Sequence, residues 1–367
     1  MLNNKTIAVV VPAYNEEFQI GMVIETMPDF IDRIVIVNDY SKDNTAKVVE
    51  TYFQKTENKT SLEIKKNDRF SDRGIYSTAN KVLWLKNQKE IKYFIPSEIV
   101  NKNPDKERII LINLQKNGGV GAAIARGYKW CKDYDIDCTA VMAGDGQMDP
   151  EELESICKPV VEEDVDYAKG NRLKHASAFD VIPRTRFIGN SLLSILTKIA
   201  SGYWHVSDTQ TGFTAISKNA LNSINLYKIY PTYGMPNDLL VRLNIAYCTL
   251  KEVTIKPVYN VGEKSKMKVF KIILPISFLL FKSFYKRLWV KYLFKDFHPL
   301  FLLYHLGILL LLASVPFLIS LLINMFQTGS VTPQQNIIFY IFLTITGLQS
   351  LLFAMWMDIM DNERLSK

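Results

Sequence analysis

An α/β fold on a mostly parallel, doubly wound sheet, followed by a membrane-bound end, is what this 367-residue sequence predicts. Two observations carry that expectation. Short β-branched runs alternate with helical stretches through the first part of the chain, as in parallel sheets whose strands are buried on both faces. Two long apolar runs, residues 300–323 and 337–357, lie near the C-terminal end. Each is close to the 20 or so residues that a helix needs to cross hydrocarbon.

Taken in order, residues 7–11 (IAVVV) stop at Pro12, as a buried parallel strand does. A helix is expected over 17–27 and a second strand over 34–37. The cap-forming cluster from Asn38 to Thr45 then opens another helix at about Thr45. Residues 109–112 read as a strand, 121–134 as a helix, and 140–142 as a strand running into Asp145. Between these elements, residues 54–107 are polar, rich in Lys and Asn, and too long for a simple connection. They form an inserted lid, a partner surface or a partly disordered segment. The run 6–11 is too short for a signal peptide and is followed at once by Pro12, so the soluble part is expected in the cytoplasm.

Composition narrows the chemistry. Cys131, Cys138, Cys157 and Cys248 show no CxxC or zinc-ligand spacing and read as reduced, structural thiols. The four histidines are scattered and form no HExxH pattern. Any metal is therefore a hard ion held by oxygen. The net charge of +7 is concentrated just before the first apolar run, in Lys264, Lys266, Lys268, Lys271, Lys282, Lys286, Arg287, Lys291 and Lys295. That is the position of a lipid-headgroup contact rather than of a nucleic-acid-binding face.

In the same stretch Phe281, Phe284, Tyr285, Leu288 and Tyr292 recur at helical spacing, with Lys282, Lys286, Arg287 and Lys291 elsewhere on the wheel. This suits a helix lying in the membrane interface with its cations toward phosphates; a helix packed on the globular domain has the same pattern. The loop 324–335 carries no Lys or Arg, so the positive-inside rule keeps the large domain and the tail 358–367 in the cytoplasm. A buried helical hairpin in a soluble protein is the alternative.

The residues able to do chemistry sit after the strands, where open α/β sheets bind ligands. Pro12-Ala13-Tyr14-Asn15-Glu16 follows the first strand and Asp39 the second. A carboxylate there can accept a base N–H beside an aromatic such as Tyr14, although Asp39 and Glu16 equally suit helix capping. Lys116-Asn117-Gly118-Gly119-Val120-Gly121 looks like a phosphate-cradling loop but lacks the third Gly of the dinucleotide fingerprint, Ile124 standing in its place. In Met142-Ala143-Gly144-Asp145-Gly146-Gln147-Met148-Asp149-Pro150, the i, i+2 oxygens of Asp145 and Gln147 can point at one ion. Such an ion neutralises a departing diphosphate.

Together these segments resemble the ordered motifs of family 2 inverting glycosyltransferases, and with two C-terminal spans the chain is most similar to their polyprenyl-phosphate branch. That branch comprises dolichol-phosphate mannose synthases and bacterial undecaprenyl-phosphate relatives. The resemblance implies a GT-A fold over residues 1–262, basic amphipathic juxtamembrane helices over 263–297, two transmembrane helices over 298–357 and a cytoplasmic tail.

It also implies site roles. Pro12, Tyr14, Glu16, Asp39, Asn117, Gly118 and Asp145 would bind the nucleotide-sugar donor, with a UDP-sugar favoured. Asp145 and Gln147 would hold Mg2+ or Mn2+. Arg172 of Gly170-Asn171-Arg172 would contact the acceptor phosphate, with Arg184 and Arg186 both qualifying as the second basic site. Lys264 and Lys266 would close over the phosphates, and Asp208 of the Asp-x-x-x-Gly-Phe element would orient the reacting groups. The expected catalytic set is Asp145, Asp208 and Arg172.

Ala143 departs from the family's usual Asp-x-Asp, removing one carboxylate from the ion site. The implied partners are a nucleotide-sugar, a polyprenyl phosphate (undecaprenyl or dolichyl), membrane lipid of the inner or plasma membrane and no nucleic acid; a homo-oligomer stays open. Two alternatives stand beside this reading: transfer onto a glycolipid or growing glycan, and a non-catalytic, membrane-tethered sugar-nucleotide scaffold.

Overall fold

The computed structural model describes residues 1–56, 62–67, 74, 77–258, 269–327 and 331–367. The first half alternates as expected: β1 (Ile7–Ala13), α1 (Ile20–Glu25), β2 (Arg33–Asn38), α2 (Thr45–Thr56), α3 (Thr78–Glu90), β3 (Ser97–Ile99), β4 (Ile109–Leu114), α4 (Val120–Asp133) and β5 (Cys138–Val141). Then come α5 (Leu153–Glu162), β6 (Tyr167–Asn171), α6 (Ala178–Val181), α7 (Arg184–Ser201), β7 (Thr214–Ser217), α8 (Lys218–Ser223), α9 (Met235–Ile245) and β8 (Leu250–Thr254). The chain ends in α10 (Val269–Trp289), α11 (Leu300–Phe326) and α12 (Gln334–Glu363).

One eight-stranded sheet runs in the order β3-β4-β2-β1-β5-β7-β6-β8. Strands β4, β2, β1 and β5 pair in parallel, as do β6 and β8, while β3 and β7 run the other way. The segments after β1, β2, β4, β5 and β6 therefore converge on one sheet edge, and the segment entering β7 arrives at the same edge. Alternate side chains of the β-branched strands feed two cores: Val10, Val35 and Ile110 on one face, Val9, Ile34 and Ile109 on the other. This period-two sharing is why β1 and β2 read as continuous apolar runs.

The stretch 54–107 is partly integrated into the fold. Its described portion supplies α3 and the antiparallel edge strand β3, which pairs Glu98 with Asn113.

Helices α11 and α12 are long and apolar enough to cross a membrane. Large apolar side chains stay exposed along both, among them Leu302, Leu309, Ile319, Phe342, Leu352 and Trp356. The two helices approach closely where a Cβ on Gly307 would lie 3.0 Å from the Gly347 carbonyl oxygen, so a larger residue there would push the pair apart.

The reading of the α10 stretch needs correction. Leu288 and Tyr292 are buried inside the protein rather than turned to lipid, and so are two of the cations read as phosphate contacts, Arg287 and Lys291. Arg287 donates Nη1 and Nη2 to Asp358 of α12 at 2.6 and 2.7 Å, and its Nε to the Ala200 carbonyl at the end of α7. Lys291 donates to Asn244 and Asn362. These partners make the burial tolerable, because a buried charge is costly unless paired and hydrogen-bonded. Leu274, Phe278, Phe281 and Trp289 are the exposed large apolar residues of α10 among the described side chains.

Candidate active site

The donor side is built from the ends of β1 and β2. Asn15 and Tyr40, with φ of 55° and 60°, both occupy the left-handed region that non-glycine residues rarely adopt. Side chains lock them there: Asn15 N–H donates to Ser41 Oγ at 3.0 Å, Lys42 N–H to Asn15 Oδ1 at 2.8 Å, and Ser41 N–H to Asn38 Oδ1 at 3.0 Å. Pro12, Tyr14 and Glu16 are half-buried beside this junction, and the Glu16 N–H donates to Thr45 Oγ1.

Asp39 shows the capping arrangement. It is buried, and its two carboxylate oxygens accept the N–H groups of Gly118 and Gly119 at 2.7 and 2.8 Å, while Asn117 Nδ2 donates to its carbonyl. Burial pushes its carboxyl above the usual value, against the pull of those two N–H groups. Two of the orphan donors of α4, Gly121 and Ala122 N–H, go to the Pro231 carbonyl. A Cβ on Gly121 would stand 2.1 Å from the Tyr230 carbonyl oxygen, so only glycine permits this approach. In the loop read as a phosphate cradle, the amides of Gly118, Gly119 and Gly121 are thus engaged by the protein itself, and these glycines serve packing.

Across the sheet edge, Asp145 and Gln147 leave β5 on a tight turn in which the Gln147 N–H donates to Asp145 Oδ1 at 3.1 Å and Gly146 takes φ of 74°. Asp149 is used structurally: it accepts the Glu151 N–H and pairs with Lys256 at 3.2 Å. Arg172 follows β6 and meets Asp208 in a fork, Nε to Oδ2 at 2.8 Å and Nη2 to Oδ1 at 3.2 Å. Burial alone would raise the Asp208 carboxyl, but the charge and hydrogen bonds of Arg172 together with the nearby Lys169 hold the group below the usual carboxylate range.

One cavity of about 360 Å³ takes in Asp145, Gln147 and Arg172, while Pro12, Tyr14, Glu16, Asp39, Asn117 and Gly118 lie outside its lining. Ala143, Asp145 and Gln147 line it, and so do Arg172, Gln210, Thr211 and Gly212. Its remaining walls are largely apolar: Leu192, Leu193 and Leu196 of α7, Tyr233, Met235 and Pro236 at the start of α9, and Ile276 and Ser277 of α10. Such a site can hold something charged at one end and something greasy at the other.

The family model described as "Glycosyl transferase family 2" matches residues 8–72 and 96–224, more than half of the chain. The chain belongs to glycosyl transferase family 2. Its sheet is the mixed, mostly parallel GT-A arrangement of that family, and the protein is a glycosyltransferase. Residues 73–95, which include α3, fall outside the match. A UDP-N-acetylglucosamine–dolichyl-phosphate N-acetylglucosaminyltransferase of Methanococcus voltae is 27% identical over 259 residues, covering 70% of this chain and 87% of that protein. A dolichyl-phosphate beta-glucosyltransferase of Trichomonas vaginalis is 26% identical over 278 residues, 71% of this chain and 65% of its own length. Among solved structures, the UDP complex of glucosyl-3-phosphoglycerate synthase from Mycobacterium tuberculosis superposes with a TM-score of 0.46 at 16% identity, covering 77% of this chain and 80% of that one.

Within this family 2 domain the structure brings Asp145, Gln147 and Arg172 to one cavity, with Asp208 directly behind Arg172. Arg184 is exposed at the start of α7, and the side chain of Arg186 lies outside the described residues, as do Lys264 and Lys266. No group of three His, Cys, Asp or Glu side chains gathers into a metal cage among the described residues. With Ala143 apolar, the protein offers an ion the oxygens of Asp145 and Gln147. That fits a hard ion that keeps waters and takes its other ligands from substrate phosphates.

Three residues of the site carry no motif signal. Glu252 of β8 accepts the N–H groups of Ser207 and Asp208 at 2.7 and 3.2 Å and fixes the loop entering β7. Asn237, fully buried on α9, accepts from Thr197 of α7 and from Gln210, tying two cavity walls together. Lys169, the middle residue of β6, is fully buried. The only available cue was its place three residues before Arg172.

Proposed function

We propose that this protein is a membrane-anchored, inverting glycosyltransferase that moves a sugar from a nucleotide-sugar, with a UDP-sugar favoured, to a polyprenyl phosphate. The observation that carries this reading is the shared cavity. Asp145, Gln147 and Arg172 line it together with apolar residues of α7, α9 and α10, the last being the helix that precedes α11. The named activities of the Methanococcus and Trichomonas relatives, both on dolichyl phosphate, agree with it.

A phosphate monoester is already an anionic nucleophile near neutral pH, so the site has little need of a strong base. One acceptor-phosphate oxygen attacks the anomeric carbon. The bond to the donor diphosphate breaks on the opposite side, and the nucleoside diphosphate leaves with the bonding pair. The chain's own task is positioning and charge balance. Arg172, held in one orientation by Asp208, receives the acceptor phosphate; the apolar wall takes the first isoprene units. Pro12, Tyr14, Glu16 and the Asp39–Asn117–Gly118 junction seat the nucleoside. Asp145 and Gln147 would hold a Mg2+ or Mn2+ ion, which neutralises charge growing on the leaving diphosphate. Helices α11 and α12 anchor the domain, which faces the cytoplasm.

The test is a screen of UDP- and GDP-sugars against undecaprenyl and dolichyl phosphate with detergent-purified full-length protein, with and without EDTA. A lipid-linked sugar formed from a UDP-sugar and lost on chelation is the expected product. Absence of product with every polyprenyl phosphate, or product only on a glycolipid, overturns the reading.

A further inference from the structure

Beneath the cavity lies a cation that the reaction above does not use. Lys169 stands in register with Thr214 of β7 on one side and Glu252 of β8 on the other, and it is fully buried. Its Nζ donates to the Thr211 carbonyl at 2.5 Å, and among the described residues no carboxylate forms a salt bridge with it. Asp208, which attracts it through space, is already forked onto Arg172. An ammonium has three donors, and burying it without a counter-charge is expensive. Burial accordingly pushes Lys169 down to about 8, against the upward pull of Asp208 and Glu252.

The charge balance around it points the same way. Lys169, Arg172 and Lys174, the last paired with Glu252 at 2.9 Å, give three positive charges. Asp208 and Glu252 give two negative ones, so these five groups sum to +1 under a loop whose Thr211 and Gly212 line the cavity, where Asp145 is the charged lining residue besides Arg172. A residual positive charge, fixed in a poorly solvated place beside a cavity, is completed by an anion entering that cavity.

We propose that Lys169 is a positioning residue for the anionic acceptor: it pins the Thr211 carbonyl and, acting through the Asp208–Arg172 fork, leaves the cavity floor positive until a phosphate arrives. This rests on the transfer reaction proposed above. The site is thereby tuned to a phosphorylated acceptor rather than to a neutral hydroxyl.

The experiment uses full-length protein in detergent, with wild type first shown to form a polyprenyl-phosphate-linked sugar. In Lys169→Met, KM for the polyprenyl phosphate rises on the order of tenfold, while KM for the nucleotide-sugar stays within about twofold. Thermal unfolding shifts little, because the lost hydrogen bond to the Thr211 carbonyl is offset by removing a buried ammonium that has no ion partner among the described residues. Lys169→Arg recovers part of the acceptor KM. Equal acceptor KM in wild type and Lys169→Met overturns the proposal while the transferase reading stands. If Lys169→Met does not fold, Lys169→Gln is measured in the same way, and an unchanged acceptor KM there overturns it equally. A wild type that makes no lipid-linked sugar removes the reading, and the proposal with it.

Discussion

Two ionic clusters of nearly the same composition sit in different places in this molecule. At the cavity, Arg172 forks onto Asp208 with Lys169 buried nearby; at the junction with the C-terminal helices, Arg287 forks onto Asp358 with Lys291 buried nearby. The difference is closure. The Arg172 side chain keeps 22% of its exposure and lines a cavity, whereas Arg287 and Asp358 are both at 0% and every named donor of Arg287 ends on a protein atom. Lys291 is likewise held by Asn244, Asn362 and Asp361, while Lys169 has a single carbonyl. A sealed, fully satisfied cluster fixes one element against another. A cluster with one side open to a cavity is, on the proposal above, arranged for a ligand.

The largest expected effect breaks the sealed side. Asp358→Ala leaves Arg287 buried without its counter-ion and should cost about 3–5 kcal/mol of stability, read as a lower denaturation midpoint in detergent. The double variant Arg287→Met with Asp358→Leu should recover most of that loss, since an apolar pair of similar volume is often neutral there. If the single variant unfolds no earlier than wild type, the junction is not the clamp described here.

The open side should behave in the opposite way. Asp145→Asn and, separately, Arg172→Met are each expected to lower the transfer rate on the order of 10²–10³-fold, the range seen when one preorganised charge-stabilising group is removed. The Asp145→Asn midpoint should stay near wild type, because that side chain lines a cavity; the Arg172→Met midpoint should fall, since Asp208 is buried, but by less than in Asp358→Ala, because Asp208 keeps the backbone N–H groups of Arg172, Gln210 and Thr211. An Asp145→Asn protein that turns over at the wild-type rate would remove the ion assignment; an Arg172→Met protein that is inactive only because it unfolds would make the two clusters alike.

The contrast also explains what could be read from the sequence. Strands β1, β2, β4 and β5 were legible because their β-branched runs are buried on both faces, and Asp145, Arg172 and Asp208 because they sit in ordered motifs. Strands β6, β7 and β8 went unread: YAKGN, TAIS and LKEVT mix polar and small residues, and a lysine inside a strand reads as solvent-facing. Lys169 is buried only because the chain folds Thr211 over it, 42 positions away. Arg287 was misread as a lipid contact for a similar reason, its counter-ion lying 71 positions downstream. Asp39 reads from the sequence as either a base acceptor or a cap for its own helix, and its contact with the start of α4, 79 and 80 positions on, is invisible to local pattern. Local pattern reports periodicity; the sign of a buried charge's environment is set by tertiary partners.

The smallest effect is shared by both clusters and tests whether their lysines are as alike as their geometry. Lys169 and Lys291 are each pushed from 10.5 down to about 8, in both cases chiefly by burial. Between about 8 and 10.5 the unfolded chain therefore binds more protons at these positions than the folded one, so stability rises with pH as the native lysines become neutral. The buried thiols act in the other direction. Cys131 and Cys248 are raised from 9.0 to about 12 and about 11, so above pH 9 the unfolded chain loses protons that the folded one keeps. Denaturant unfolding should accordingly show a shallow rise from pH 8 to about 9, a near-plateau from about 9 to 10.5 where the two lysines and the two thiols oppose each other, and a fall beyond it. Lys169→Met should flatten the rise by the Lys169 share, and Lys291→Met by a similar share superimposed on the loss of its contacts to Asn244, Asn362 and Asp361. A stability curve already falling between pH 8 and 9 would mean that both lysines stay charged in the folded state, and that the open cluster carries its positive charge across the whole working range.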